Sequence, residues 1–95
     1  MIKINRIIWK EGFVEKIGGK HHVTIFEVEG ILHGRKNVYR IAKGDVKGEN
    51  VYLALGKTRA GRYLSVFFIL KKTHNALPIS ARDMDSKERR QYGHG

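Results

Sequence analysis

Cysteine is absent from the 95-residue chain, which excludes disulfide staples, thiol nucleophiles and thiolate zinc sites together. Catalysts or metal ligands must then come from five histidines and nine acids. No stretch approaches the roughly 18 uninterrupted apolar residues of a membrane span. The N-terminus lacks the charged, apolar, small-residue order of a signal peptide, so a cytoplasmic chain without a membrane partner is expected. Gly-rich phosphate loops, serine elbows, the HExxH signature and paired carboxylates in an apolar background are all missing. Acids are scarce in one region above all: between Glu29 and Asp83 only Asp45 and Glu49 occur, against eleven Lys and Arg from Arg35 to Arg82, so this segment carries +9. A metal-dependent nuclease would need clustered acids in the segment that nearly lacks them.

What is present is positive charge. Nineteen Lys and Arg give a formal net charge of +10 and a pI near 10.2, which points to a polyanionic partner, either nucleic acid or an acidic protein. The length suits one domain over 1–95 with one modest core. Phe13, Val14 and Ile17 recur at helical spacing, so a short helix is expected from Glu11 to Ile17, stopped by Gly18-Gly19. Thr24-Ile25-Phe26-Glu27 has capping-box spacing. It predicts a second helix with Ile25, Val28, Ile31 and Leu32 along one side and Gly34 as a left-handed cap.

From Asn37 the period falls to two. Val38–Ile41 begins a strand, Gly44–Gly48 supplies loop chemistry, and Val51, Leu53 and Leu55 alternate in the next strand. Arg59-Ala60-Gly61-Arg62 turns the chain, and Tyr63–Leu70 is apolar on both alternating faces apart from Ser65, as in a central strand covered on both sides. A polar loop, Lys72–Asn75, leads to a fourth strand over Ala76–Arg82, where Pro78 calls for an edge or a bulge. Asp85 or Ser86 then caps a basic helix running to about Tyr92. The order predicts an α+β fold with two N-terminal helices, a four-stranded antiparallel sheet and a C-terminal helix.

His21 and His22 are adjacent and tend to point apart, and His33, His74 and His94 lie in other segments, so neither a metal site nor any cofactor is expected. Arg, Lys and His alone suffice for one reaction. RNA carries its own nucleophile, and cleavage through the 2′-hydroxyl needs a base, cations to stabilise the phosphorane and an acid for the departing oxygen. His21 is a candidate base or acid, beside Lys20 and Lys16, or else a solvated loop residue. Arg59 and Arg62 flank a turn, where they either clamp a phosphate or are merely solvated. Arg82 either reaches across the sheet face or pairs with Asp83, Asp85 or Glu88. Tyr92, four residues after Glu88, either stacks on a base or packs down the helix end. Trp9 reads as a core anchor with its N–H bonded. Lys57 and Lys72 complete a set suited to phosphate contacts.

Taken in order, these residues resemble the BrnT family, the toxin half of BrnA–BrnT toxin–antitoxin modules. The resemblance spans nearly the whole chain. It rests on Trp9, on Lys20-His21-His22-Val23 before Thr24-Ile25-Phe26-Glu27, on Gly56–Leu64, and above all on Ile79-Ser80-Ala81-Arg82 with Glu88-Arg89-Arg90-Gln91-Tyr92. The chain departs from the family at Lys10-Glu11-Gly12, where an Asp-Pro pair is usual, and at His22, where a Gly normally follows the Lys-His pair. The resemblance implies a compact RelE-like fold and metal-independent RNA cleavage, and for that reaction the residues read above give His21, Arg62 and Arg82 as candidate catalytic residues and Lys20, Lys57, Arg59, Lys72 and Tyr92 as candidate RNA-binding ones. It also implies silencing by a BrnA-like ribbon-helix-helix antitoxin, through which alone operator DNA would be bound. The alternative is a non-catalytic RNA-binding or antitoxin-docking module. Convergence of His21, Arg62 and Arg82 on one concave surface would favour catalysis, and scatter would favour binding.

Overall fold

The computed structural model describes residues 3–44 and 47–94. Its elements are α1 (Glu11–Lys20), α2 (Ile25–His33), β1 (Lys36–Lys43), β2 (Asn50–Lys57), β3 (Tyr63–Leu70), β4 (Ala76–Asp83) and α3 (Ser86–His94). The strands form one antiparallel sheet in the order β1-β2-β3-β4. The expected α+β arrangement is therefore the observed one. Asp45 and Val46 of the expected first hairpin loop lie outside the described residues.

Alternation along β3 decides which helix covers which face. Leu64, Val66 and Phe68 point one way and are fully buried together with Ala54 of β2, Ile17 of α1, and Val28, Ile31 and Leu32 of α2. Full burial of each of the larger of these side chains contributes about 1.5–3 kcal/mol. Gly56 lets α2 lie this close, because a Cβ there would stand 2.8 Å from Ile31 Cδ1. Ser65 points the other way and is wholly buried, its hydroxyl donating to Glu88 of α3 over 2.8 Å. The one polar interruption of the apolar strand is thus the anchor for the last helix. Beyond that anchor Phe67 and Ile69 are only half-buried, so the expectation that β3 is covered along both faces holds fully on the α1–α2 side and at one end of the other.

Both later helix starts follow the sequence chemistry. The Thr24 hydroxyl accepts from the Glu27 amide at 3.1 Å while the Glu27 carboxylate accepts from the Thr24 amide at 3.0 Å. Asp85 and Glu88 exchange the same pair of bonds at 2.8 and 3.0 Å, satisfying donors that a helix start leaves open.

Two helix ends differ from expectation. Gly18-Gly19 do not stop α1, which continues to Lys20; its end is instead fixed by Ile17, whose carbonyl accepts from the amides of His21 and Val23. Gly34 is extended (φ −96°) rather than left-handed. Glycine is needed there because a Cβ would sit 2.6 Å from the Gly30 carbonyl oxygen. Pro78 stands on the edge strand β4 at a register shift, with Phe68 opposite Pro78 and Phe67 opposite Ser80, so Ile79 is the extra residue of a bulge. Residues 4–9 contribute a segment that periodicity did not reveal: Ile7 bridges Ala76 in parallel, and Ile4, Ile7 and Trp9 pack on the core. The Trp9 indole donates to Glu29 at 3.2 Å.

Candidate functional site

Arg62 leaves the turn between β2 and β3 and has every N–H of its guanidinium engaged. Nε and Nη2 donate to the two Asp83 oxygens at 2.8 and 3.2 Å, and Nη2 also donates to the His21 carbonyl at 3.0 Å. Nη1 donates to the His22 carbonyl at 2.7 Å and to Glu27 at 3.3 Å. The Asp83 bonds raise the Arg62 pKa, and the same bonds, helped by the charge of His21, hold the Asp83 carboxyl below its ordinary range. The backbone amide of Arg62 is held by the Thr58 hydroxyl at 2.9 Å. The expected phosphate clamp is therefore corrected to an internal one: with its donors spent on protein oxygens, Arg62 ties the loop after α1 to the capping box of α2 and the end of β4. That loop is strained, since His22 has φ +54°, in the left-handed region where a side chain is costly.

Arg82 takes the pairing alternative. Its Nη1 and Nη2 donate to Glu88 at 2.7 and 2.9 Å, and its guanidinium lies 5.3 Å from the Phe67 ring centre. Burial pushes the Glu88 carboxyl up, but Arg82, the Asp85 amide and the Ser65 hydroxyl outweigh it and hold it below its usual range.

The expected triad does not converge. Asp83 stands opposite Leu64 and Arg82 opposite Ser65, and alternation sends neighbouring strand residues to opposite faces. Arg62 and His21 consequently belong to the α1–α2 side, and Arg82 to the α3 side. Lys72 is also set apart. It follows β3, with its side chain 3.0 Å from where a Cβ on Gly48 would be, at the opposite end of the sheet from Lys57 and Arg59, an eight-residue strand away, or about 26 Å. Lys20 closes α1, and its side chain lies outside the described residues.

A concave site forms where α2, the β2–β3 turn and the end of α3 meet. It is a groove of about 630 Å³ with Phe26, Glu27, Gly30 and Gly34 on one wall, Lys57, Thr58, Arg59 and Ala60 along the turn, and Arg35 and Tyr92 at its margins. Lys57, Arg59 and Tyr92 were expected to bind RNA and do share this groove. Tyr92 also packs edge-on against Tyr63, whose ring centre is 3.7 Å from the Arg89 guanidinium and 5.2 Å from Lys57 Nζ. Tyr92 is therefore a fixed wall. Arg35 and Phe26 were not singled out from sequence. Phe26 is 83% exposed, and the available signal was that it is apolar yet falls off the Ile25, Val28, Ile31, Leu32 stripe. His21 reaches the groove wall through Arg62, which binds its carbonyl and Glu27 at once.

Among the described residues no group of three or more His, Asp or Glu is placed to hold a metal ion, and no helix is long and apolar enough to cross a membrane. Glu27 and Asp83, the two carboxylates of the Arg62 cluster, are both paired with that guanidinium.

Comparison with known protein families and with curated protein sequences finds no match. Comparison with solved structures does. The fold is of the α+β class in which helices flank a four-stranded antiparallel sheet. One structure it matches is the 1.1 Å crystal structure of the Brucella abortus ribonuclease toxin BrnT, with a TM-score of 0.62 and 20% sequence identity, covering 88% of this chain and all of that one. At that identity the match establishes a shared fold.

Proposed function

We propose that this chain is a metal-independent endoribonuclease toxin of a toxin–antitoxin pair. RNA enters the groove between α2 and the β2–β3 turn, its phosphates held by Arg35, Lys57 and Arg59. His21 serves as the proton-transfer group beside it, while Arg62 positions the His21-His22 loop. The 2′-hydroxyl is the nucleophile, so the protein needs to supply only proton transfer and positive charge for the phosphorane. A nuclease harmful to its host must be held inactive, and a +10 surface steers an acidic antitoxin onto the same basic groove. A BrnA-like ribbon-helix-helix antitoxin fits that role and would carry any binding to operator DNA. The observation that carries the reading is the groove, with three cations and an aromatic wall next to a histidine loop, on a fold shared with a protein named as a ribonuclease toxin.

A second reading, a non-catalytic RNA-binding or antitoxin-docking module, is favoured by one observation: Arg62 and Arg82 stand on opposite faces and spend their guanidinium groups on carboxylates. Digestion of a single-stranded RNA in excess EDTA separates the two. Toxin activity gives fragments with 2′,3′-cyclic or 3′-phosphate ends, lost in His21→Ala and weakened in Lys57→Glu/Arg59→Glu. RNA that binds but stays intact supports a non-catalytic RNA-binding module, and RNA that does not bind removes the toxin reading and leaves only antitoxin docking.

A further inference from the structure

Phe26 has no role in the core. The residue is 83% exposed on a helix whose Val28, Ile31 and Leu32 are buried, and it lines the groove. One turn further along α2 is Gly30, where an added Cβ would meet nothing within 4 Å. Packing does not require that glycine, and a helix interior disfavours it. Its effect is to leave the floor beside Phe26 open. The same groove is lined by Tyr92, whose ring is fixed by Tyr63, and by Lys57 and Arg59. An exposed aromatic, a second, fixed aromatic and nearby cations lining one groove are the components by which proteins hold unpaired nucleotides, the rings taking bases and the cations taking the backbone. A-form duplex RNA keeps its bases stacked inside and offers the rings nothing.

We infer that the groove is a base-stacking site for unpaired RNA, with Phe26 as its platform and Gly30 as the space that admits the base. This rests on the RNA reading above and names the substrate class: single-stranded segments, loops and bulges rather than duplex.

The test is fluorescence anisotropy with a 2′-O-methyl oligoribonucleotide, which cannot be cleaved, as a single strand and as a duplex of equal length. The single strand is expected to bind at least tenfold tighter. Phe26→Ala should lower single-strand affinity on the order of tenfold or more and leave duplex affinity unchanged. Gly30→Leu should do the same while its melting temperature holds or rises, because its Cβ meets no protein atom within 4 Å and leucine favours the helix over glycine. Lys57→Glu/Arg59→Glu should weaken both forms. If Phe26→Ala and Gly30→Leu bind the single strand as wild type does while Lys57→Glu/Arg59→Glu loses it, charge alone holds RNA and the stacking inference is overturned, though the proposed function stands. If the charge variant also binds normally, RNA does not occupy the groove and both are overturned. Tighter binding of a polyglutamate peptide than of the oligonucleotide, itself abolished by Phe26→Ala, would assign the ring to a protein partner and likewise overturn the inference.

Discussion

Replacing Arg62 by alanine removes the group that joins three elements. Two of its bonds go to the carbonyls of His21 and His22, and bonds from a charged donor contribute about 1.5–3 kcal/mol each. The Asp83 carboxylate is 65% exposed, and pairs of that kind add no more than about 1 kcal/mol. Part of the carbonyl contribution returns as water reaches the loop, leaving a net loss near 3 kcal/mol. For a chain of this size that lowers Tm by roughly 12–20 °C. Arg62→Lys keeps the charge, loses the planar fork and should recover less than half of the loss. Thermal melts followed by circular dichroism, together with RNA cleavage on the same samples, give the answer. Stability and cleavage should fall together, and cleavage should return in part at low temperature, where the variant is folded. A variant that melts like wild type but no longer cleaves would show the guanidinium acting on substrate, and would refute the assignment of Arg62 as a positioning residue.

Other outcomes follow from single contacts. Glu88 and Asp83 have depressed pKa values, so the stability they contribute is complete above the ordinary carboxylate range and is lost as pH falls below about 4; Glu88→Gln should flatten that acid limb of a stability–pH curve, and an unchanged limb would contradict it. Removing Arg82 leaves the buried Glu88 charge without its bidentate partner, so Arg82→Ala should cost about 3 kcal/mol in denaturant unfolding, and a cost under about 1 kcal/mol would show the pair to be inert. His22→Gly should relieve the positive φ and stabilise by up to about 1 kcal/mol, read as a higher Tm. RNA binding should weaken steeply with salt, with a log–log slope of roughly −0.7 per phosphate contacted, and Lys57→Glu/Arg59→Glu should make that slope shallower.

Where the fold was legible, local chemistry and tertiary context agreed. The Thr24–Glu27 box, the period-two strands and the edge position of Pro78 all follow from spacing, because each is decided by neighbours in sequence. Ser65 was visible as an interruption, but its partner was not, since Glu88 is 23 residues away. The segment from Ile4 to Trp9 pairs with Ala76, a contact across most of the chain that no local pattern announces. Gly18 and Gly19 misled because a short helix can end on the Ile17 carbonyl instead of on the first glycine. Among the site residues, Lys57, Arg59 and Tyr92 were identified from sequence and share the groove. Arg62 and Arg82 were identified as functional arginines, but residue type cannot reveal which carboxylates will occupy a guanidinium. The register of β4 separates them: Arg82 and Asp83 are adjacent in sequence and face opposite ways. Phe26 went unremarked because an apolar residue beside an apolar stripe reads as part of it.

The proposed RNA groove lies between α2 and the β2–β3 turn. Backbone amide shifts recorded while a short 2′-O-methyl oligoribonucleotide is titrated into the protein test it most directly. The largest changes are expected on Phe26, Gly30, Arg35, Lys57, Arg59 and Tyr92, with Lys72 and the half-buried face around Phe67 and Ile69 unmoved. Changes centred on Phe67, Ile69 and Arg82, with the groove residues silent, would contradict that placement.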